Sequence, residues 1–409
     1  MNLQYRGSGR VFLKDKEMPC DLYYNEKEGG ILLIIKSKHG KVMGDFLELP
    51  LEIPYVCGQL DNGFNFALVH LGDRRTNDTL LSGITEYRFL AEYLLCGVGR
   101  TFDQEQLFKR IDFTISDIVE WGGESVYSIG EKYELIRKEG AVKKTIYEGN
   151  EYSISYRVEG SLLPLVDYEI QKEHIELNQS GIIEIEFHKE KKFDQFLEIF
   201  NRIKRLIEIA LFRKINIEKM EGYSASVVYK VGEHTIKRGI EIYGIGVAAK
   251  KPLQREESWQ WKWLPFPDLI EKHSFEHYFE KHEKLAPIVE LLLEPLYVSG
   301  SSPSRVFLNI VQALETYHSR FVTNDLNNFK QRVDNLLKRH GRSELEEERA
   351  FLMANSKKFI TLESRLADLL TAEWKIYFDT GEIPRYDFPA VIAHTRNYYI
   401  HYDERIKCE

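Results

Sequence analysis

The hydrophobic residues of this chain change period near residue 271, and that change limits the folds open to it. Upstream, apolar side chains recur at every second position, as in Leu47, Leu49, Leu51 and Ile53, and again in Ile111, Phe113 and Ile115. Alternation places such residues on one face of a strand. Downstream the spacing turns to three and four: Phe307, Ile310, Val311, Leu314 and Tyr317 form a helical stripe. A chain that alternates first and then keeps a 3.6-residue period separates its strands from its helices. The expected class is α+β and multidomain, with a β-rich, sandwich-like N-terminal half followed by an all-α helical bundle.

Local signals refine this. Ile31 to Ile35 reads as a buried strand, while Pro50 and Pro54 push the strand over 47–53 to an edge or break it. Ser116 is placed to cap a short helix through Trp121, stopped by Gly122 and Gly123. Further strands are expected over 152–158, 182–187, 227–231 and 240–243. One amphipathic helix over 193–212 lies among them, with Phe193, Phe196, Leu197, Phe200, Ile203, Ile207 and Ala210 at helical spacing. We place domain boundaries accordingly: a β-rich subdomain over 1–128, a second over 129–245, a junction over 246–270 and a helical domain over 271–409. Trp259, Trp261 and Trp263 in the junction share one face of an extended segment, and docking onto a neighbouring domain is favoured over base stacking. In the helical domain, helices are expected from Phe275 to about Leu293, after Ser302-Pro303, over 324–340, within 345–378, and from Phe388 to about His401.

Composition excludes several classes. The formal net charge of -8 argues against a constitutive, charge-driven nucleic-acid binder. Cys20, Cys57, Cys96 and Cys408 form no CxxC pair, so a zinc cluster or disulfide framework is not expected and a reducing cytoplasm is the natural compartment. No apolar run approaches the length of a membrane span. Gly244-Ile245-Gly246-Val247-Ala248-Ala249 resembles a dinucleotide loop, but Lys250-Lys251-Pro252 follows it in place of a helix. His273, His277 and His282 lie close in sequence without a catalytic Glu at metalloenzyme spacing, so surface helix positions are the better reading. Lys330, Arg332, Lys338, Arg339 and Arg342 read as a solvated helix face, with an RNA-steering patch as the alternative.

Chemistry concentrates near the C-terminus, in Arg396-Asn397-Tyr398-Tyr399-Ile400-His401. Arginine grips phosphate oxygens with a fixed charge, and histidine exchanges protons near neutral pH. With Phe307 to His318 as an upstream helix carrying Glu315, this motif resembles the HEPN superfamily and, more closely, its ApeA-like branch, prokaryotic proteins associated with abortive defence against phage. The β-rich half is similar in layout to the domain that precedes HEPN in ApeA proteins. The resemblance implies metal-independent RNA cleavage with no cofactor. His401 would transfer protons, Arg396 would hold the scissile phosphate and Asn397 would orient His401. Glu315 would support them as a buried polar partner, an exposed helix carboxylate being the equal alternative. His394 shares the stripe of Asn397 and His401 but lies outside the motif; it and His318 read as structural.

The resemblance also implies a homodimer in which two motifs face one RNA. An always-active ribonuclease would harm its host, so the β-rich half is expected to sense a phage-derived or cellular trigger; with only short apolar runs, no membrane partner is expected. In the family a further helix usually follows the motif. Here eight residues follow His401, so a bundle lacking its final helix is expected. The geometry agrees with the dimer as well, because residues five apart on a helix differ by about 140° around its axis. Arg396 and His401 therefore do not share a face. Either Arg396 wraps round the helix, the helix bends or begins inside the motif, or two subunits lend residues to one cleft. Two other readings stay open: a non-catalytic HEPN scaffold that binds RNA or protein, and an unrelated adaptor.

Overall fold

The computed structural model describes residues 4–13, 16–25, 30–38, 49–79, 84–99, 104–138, 142–160, 178–231, 234–244, 246–247, 264–322, 360–370 and 388–402, with 334, 335, 337 and 350 singly. The chain divides into two compact units: Met1–Leu211 with Ile215–Glu276, and Phe212–Lys214 with His277–Glu409.

The first unit begins with six strands: β1 Gln4–Leu13, β2 Lys16–Asn25, β3 Gly30–Lys38, β4 Ile53–Leu60, β5 Asn65–Thr79 and β6 Ile84–Cys96. Each pairs antiparallel with two neighbours in the cycle β1-β2-β3-β6-β5-β4, and the β1–β4 ladder closes it into a barrel. Alternation fills the interior: Val11, Leu22, Leu33, Phe66, Leu68 and Phe89 are fully buried. Closure pairs every edge, which specifies the β-rich reading more closely than two stacked sheets would. The seam needs glycine. A Cβ on Gly9 would lie 2.3 Å from the Gln59 carbonyl oxygen, and one on Gly58 2.4 Å from the Phe66 ring. Of the strand expected over 47–53, residues 47 and 48 lie outside the described residues and 49–52 are not in a strand; β4 begins at Ile53, Leu49 is buried and Leu51 exposed, and Pro50 cannot donate to a ladder.

The sheet continues outward from β6. Strand β3 leaves β6 after Ala91, and β16 Ile240–Gly244 takes its place over Tyr93 to Cys96. Then follow β13 Ile217–Tyr223, β7 Leu107–Ile115, β12 Gln179–Lys192, β11 Tyr152–Gly160 and β10 Val142–Glu148. Two short hairpins stand apart, β8 Tyr127–Ile129 with β9 Leu135–Arg137, and β14 Val228–Val231 with β15 His234–Lys237. The boundary placed at 128 is not a break in this sheet, since β7 lies hydrogen-bonded between β12 and β13.

The amphipathic helix is Phe193–Leu211 (α2), preceded in the chain by α1 Ile118–Gly122. It buries Phe196, Phe200 and Ile203, and the Phe200 ring stacks on Phe113 of β7 at 3.9 Å and 9°. The opposite face of these strands is ionic. Arg157 Nη2 donates to Asp112 Oδ2 at 2.6 Å, and Lys143 Nζ to Glu184 Oε1 at 2.6 Å. Burial pushes the Asp112 carboxyl up to about 6, against the pull of Arg110 and Arg157. Ser116 does not cap α1. Its hydroxyl accepts from the Asn216 N–H at 3.1 Å, and Asp117 enters the helix in a left-handed conformation with no side-chain cap. Trp121 is buried; its indole N–H donates to the Leu264 carbonyl at 2.9 Å, and its ring meets Phe266 of α3 (Phe266–Glu271) edge-on at 4.9 Å.

His70, in a left-handed conformation near the β5 bulge, is held on both nitrogens. Nδ1 lies 2.8 Å from Glu92 and Nε2 3.2 Å from Asp194 at the start of α2. Burial opposes a charge there, but the two carboxylates outweigh it and raise the His70 pKa above its ordinary 6.5. A raised folded pKa stabilises fully below pH 6.5 and ceases to do so as pH rises through the folded value. We therefore expect wild type to exceed His70→Gln by at most about 1 kcal/mol in urea unfolding at acidic pH, because the site is partly solvated. The difference should vanish well above neutrality.

The second unit holds α4 Ser274–Tyr297 from His277 onward, α5 Pro303–Tyr317, a π-helical turn His318–Val322, α6 Leu362–Leu369 and α7 Phe388–His401. As the Ser-Pro pair predicts, the Ser302 hydroxyl caps α5 by accepting from the Arg305 N–H at 3.3 Å. Thr361 caps α6 in the same way at 3.2 Å. α7 packs on both α5 and α6. Of the helix expected over 324–340, only Asp334, Asn335 and Leu337 are described, each as helical; Lys330, Arg332, Lys338, Arg339, Arg342 and the three junction tryptophans lie outside the described residues. No helix among the described residues is long and apolar enough to cross a membrane.

Candidate active site

The site is framed by α5 and α7. Pro389 and Ala393 face inward on α7, and Phe307 of α5 meets Tyr399 at 6.1 Å. This packing turns Arg396 toward α5. Its guanidinium lies 3.8 Å from Glu315, with the two side chains 33% and 36% exposed, and it donates from Nη1 to Asn397 Oδ1 at 3.2 Å. So three of the motif-linked residues, Arg396, Asn397 and Glu315, are neighbours. Glu315 is half-exposed, between the buried and exposed alternatives. Its charge holds the arginine at the surface of the bundle, where the remaining guanidinium N–H groups can meet an anion.

His401 stands apart. It is the last residue of α7, exposed, and no hydrogen bond or ion pair joins it to Arg396 among the described residues. α7 runs unbroken from Phe388, so a helix that begins inside the motif is excluded. Tyr402 ends it in a left-handed conformation, φ 49°, with its N–H donating to the Tyr398 carbonyl at 2.6 Å. His394 is exposed on the same stripe as Asn397 and His401. Arg396 and His401 thus stand on different sides of a single helix.

Two polar contacts escaped the sequence reading. His318, fully buried, lies with Nε2 3.0 Å from Asp368 Oδ2 of α6, which gives it a structural tie. Asn309 donates to Glu294 of α4 at 2.8 Å, and Glu294 also pairs with Arg305; these bonds hold the Glu294 carboxyl below its ordinary range. Partners 50 and 15 residues apart leave no periodic signal. Elsewhere, His273 pairs with Glu276 at 3.4 Å and His277 with Glu280 at 3.8 Å, as surface helix residues do. Gly244 answers to packing: a Cβ there would lie 2.1 Å from the Glu92 carbonyl oxygen.

Residues 5–280 match the family ApeA N-terminal domain 1, and residues 308–408 match Apea-like HEPN. No curated protein and no solved structure matches the chain. The first match spans the barrel and its sheet, the second spans α7 and most of α5, and the two stand in the order of the ApeA architecture; the chain belongs to the ApeA-like HEPN family.

Proposed function

We propose that this protein is an endoribonuclease of anti-phage abortive infection, held in check by its β-rich half until a phage-derived or cellular trigger engages that half. The observation that carries the reading is the division of labour on α7: Arg396 steadied by Glu315 and Asn397, His401 exposed at the helix end.

In the proposed reaction the RNA 2'-hydroxyl oxygen attacks the adjacent phosphorus. A neutral His401 takes the hydroxyl proton as the P–O2' bond forms. A protonated His401 from a second copy gives its proton to the departing 5'-oxygen as the P–O5' bond breaks. Arg396 neutralises charge building on the non-bridging oxygens. The products are a 2',3'-cyclic phosphate and a 5'-hydroxyl. A homodimer with one composite cleft supplies two imidazoles and brings arginine and histidine together, which one α7 does not do alone.

Product chemistry tests the mechanism. Cleaved RNA should carry 5'-hydroxyl ends, and a 2'-deoxy substitution at the scissile nucleotide should abolish its cleavage. Ends bearing 5'-phosphate would rule this mechanism out. The engagement of Arg396 by Glu315 favours a second reading, a HEPN scaffold that binds RNA or protein without cutting. In that case His401→Ala would leave every effect of the protein unchanged.

A further inference from the structure

Helices that end in a left-handed residue usually place glycine there, because a side chain is strained in that conformation. Here the position is filled by Tyr402, directly after His401, with φ 49°. Burial does not account for it, since Tyr402 is 70% exposed. Its ring lies 6.0 Å from that of Tyr398 at 63°, an edge contact rather than a stack. Tyr398 meets Tyr399 at 5.5 Å, and Tyr399 meets Phe307 of α5 at 6.1 Å. A train of rings thus runs from the bundle to an exposed aromatic face beside His401.

We infer that Tyr402, backed by Tyr398, is a positioning residue that stacks on an unpaired base adjoining the scissile phosphate. This rests on the ribonuclease reading and adds to it the group that holds the substrate in register. An exposed tyrosine face suits any base, because every base has a π-face and stacking is tolerant of sequence. It does not suit a continuous duplex, whose bases are already stacked on one another. Arg396 would grip the phosphate and Tyr402 the base, so the strand would be held beside the imidazoles. The contribution is to binding and register rather than to proton transfer.

The test uses a short single-stranded RNA carrying 2-aminopurine, the same sequence as a duplex, and full-length protein. In a His401→Ala background, binding should quench 2-aminopurine fluorescence. Adding Tyr402→Leu should remove the quench and weaken binding about tenfold, whereas adding Tyr402→Phe should preserve both. The duplex should bind about tenfold more weakly than the single strand. In the otherwise wild-type protein, Tyr402→Leu should raise KM about tenfold with kcat within about twofold, and Tyr402→Phe should behave as wild type. If cleavage depends on His401 but Tyr402→Leu binds, quenches and cleaves as wild type does, the stacking role is wrong and the ribonuclease reading survives. If wild type shows no His401-dependent cleavage, both fall together.

Discussion

Replacing His401 by alanine is expected to slow RNA cleavage about a thousandfold, within the range that positioned acid–base groups contribute. The expectation follows from its place on α7. His401 is exposed and is the last helical residue, so its removal leaves no cavity and no orphaned partner among the described residues. Stability should therefore shift by no more than about 0.5 kcal/mol, as for surface substitutions elsewhere. That separation of activity from folding makes the substitution informative. Arg396→Ala is a less clean probe, because it also leaves Glu315 without its 3.8 Å partner. Arg396→Lys keeps the charge but loses the two-pronged grip, and should lie between wild type and alanine in rate. Initial rates on defined RNA, with unfolding curves on the same preparations, check all three variants.

The second large effect lies far from this chemistry. Phe200→Ala should destabilise the β-rich unit by about 4 kcal/mol, the range for a fully buried aromatic. The ring is fully buried and stacked 3.9 Å from Phe113, so truncation loses apolar burial, a parallel ring contact and close packing together. Leu197 on the same helix is only half-buried, and Leu197→Ala should cost clearly less. With total stabilities of about 5–15 kcal/mol, the Phe200 variant should unfold at markedly lower urea, whereas the Leu197 variant should stay close to wild type. Equal losses at the two positions would contradict the packing described for α2.

Much of this architecture was legible because it is periodic. The strands near Ile31 and Ile111, the stripe from Phe193 to Ala210 and the change of period near residue 271 need only local spacing. The Ser302-Pro303 start of α5 and the segment ending at His401 were legible for the same reason. Barrel closure was not, since it depends on ladders such as Val11 with Gly58, residues that no local pattern relates. The continuity of the sheet across residue 128 is hidden for the same reason: β7 lies before it and both of its sheet neighbours after it. At the site, Arg396, Asn397 and Glu315 were named from the motif and its accompanying helix. Their contact depends on how α5 and α7 pack. Ser116 shows the limit of capping rules, because the distant Asn216 backbone competes for the same hydroxyl.

In the proposed reaction His401, acting with Arg396, cuts RNA by transesterification. This is tested most directly by sequencing RNA 5' ends from phage-infected cells that express either the wild type or His401→Ala at equal abundance. New 5'-hydroxyl ends are expected at discrete positions in the wild-type cells and are expected to be absent with His401→Ala. The same ends appearing in both would contradict the proposed reaction.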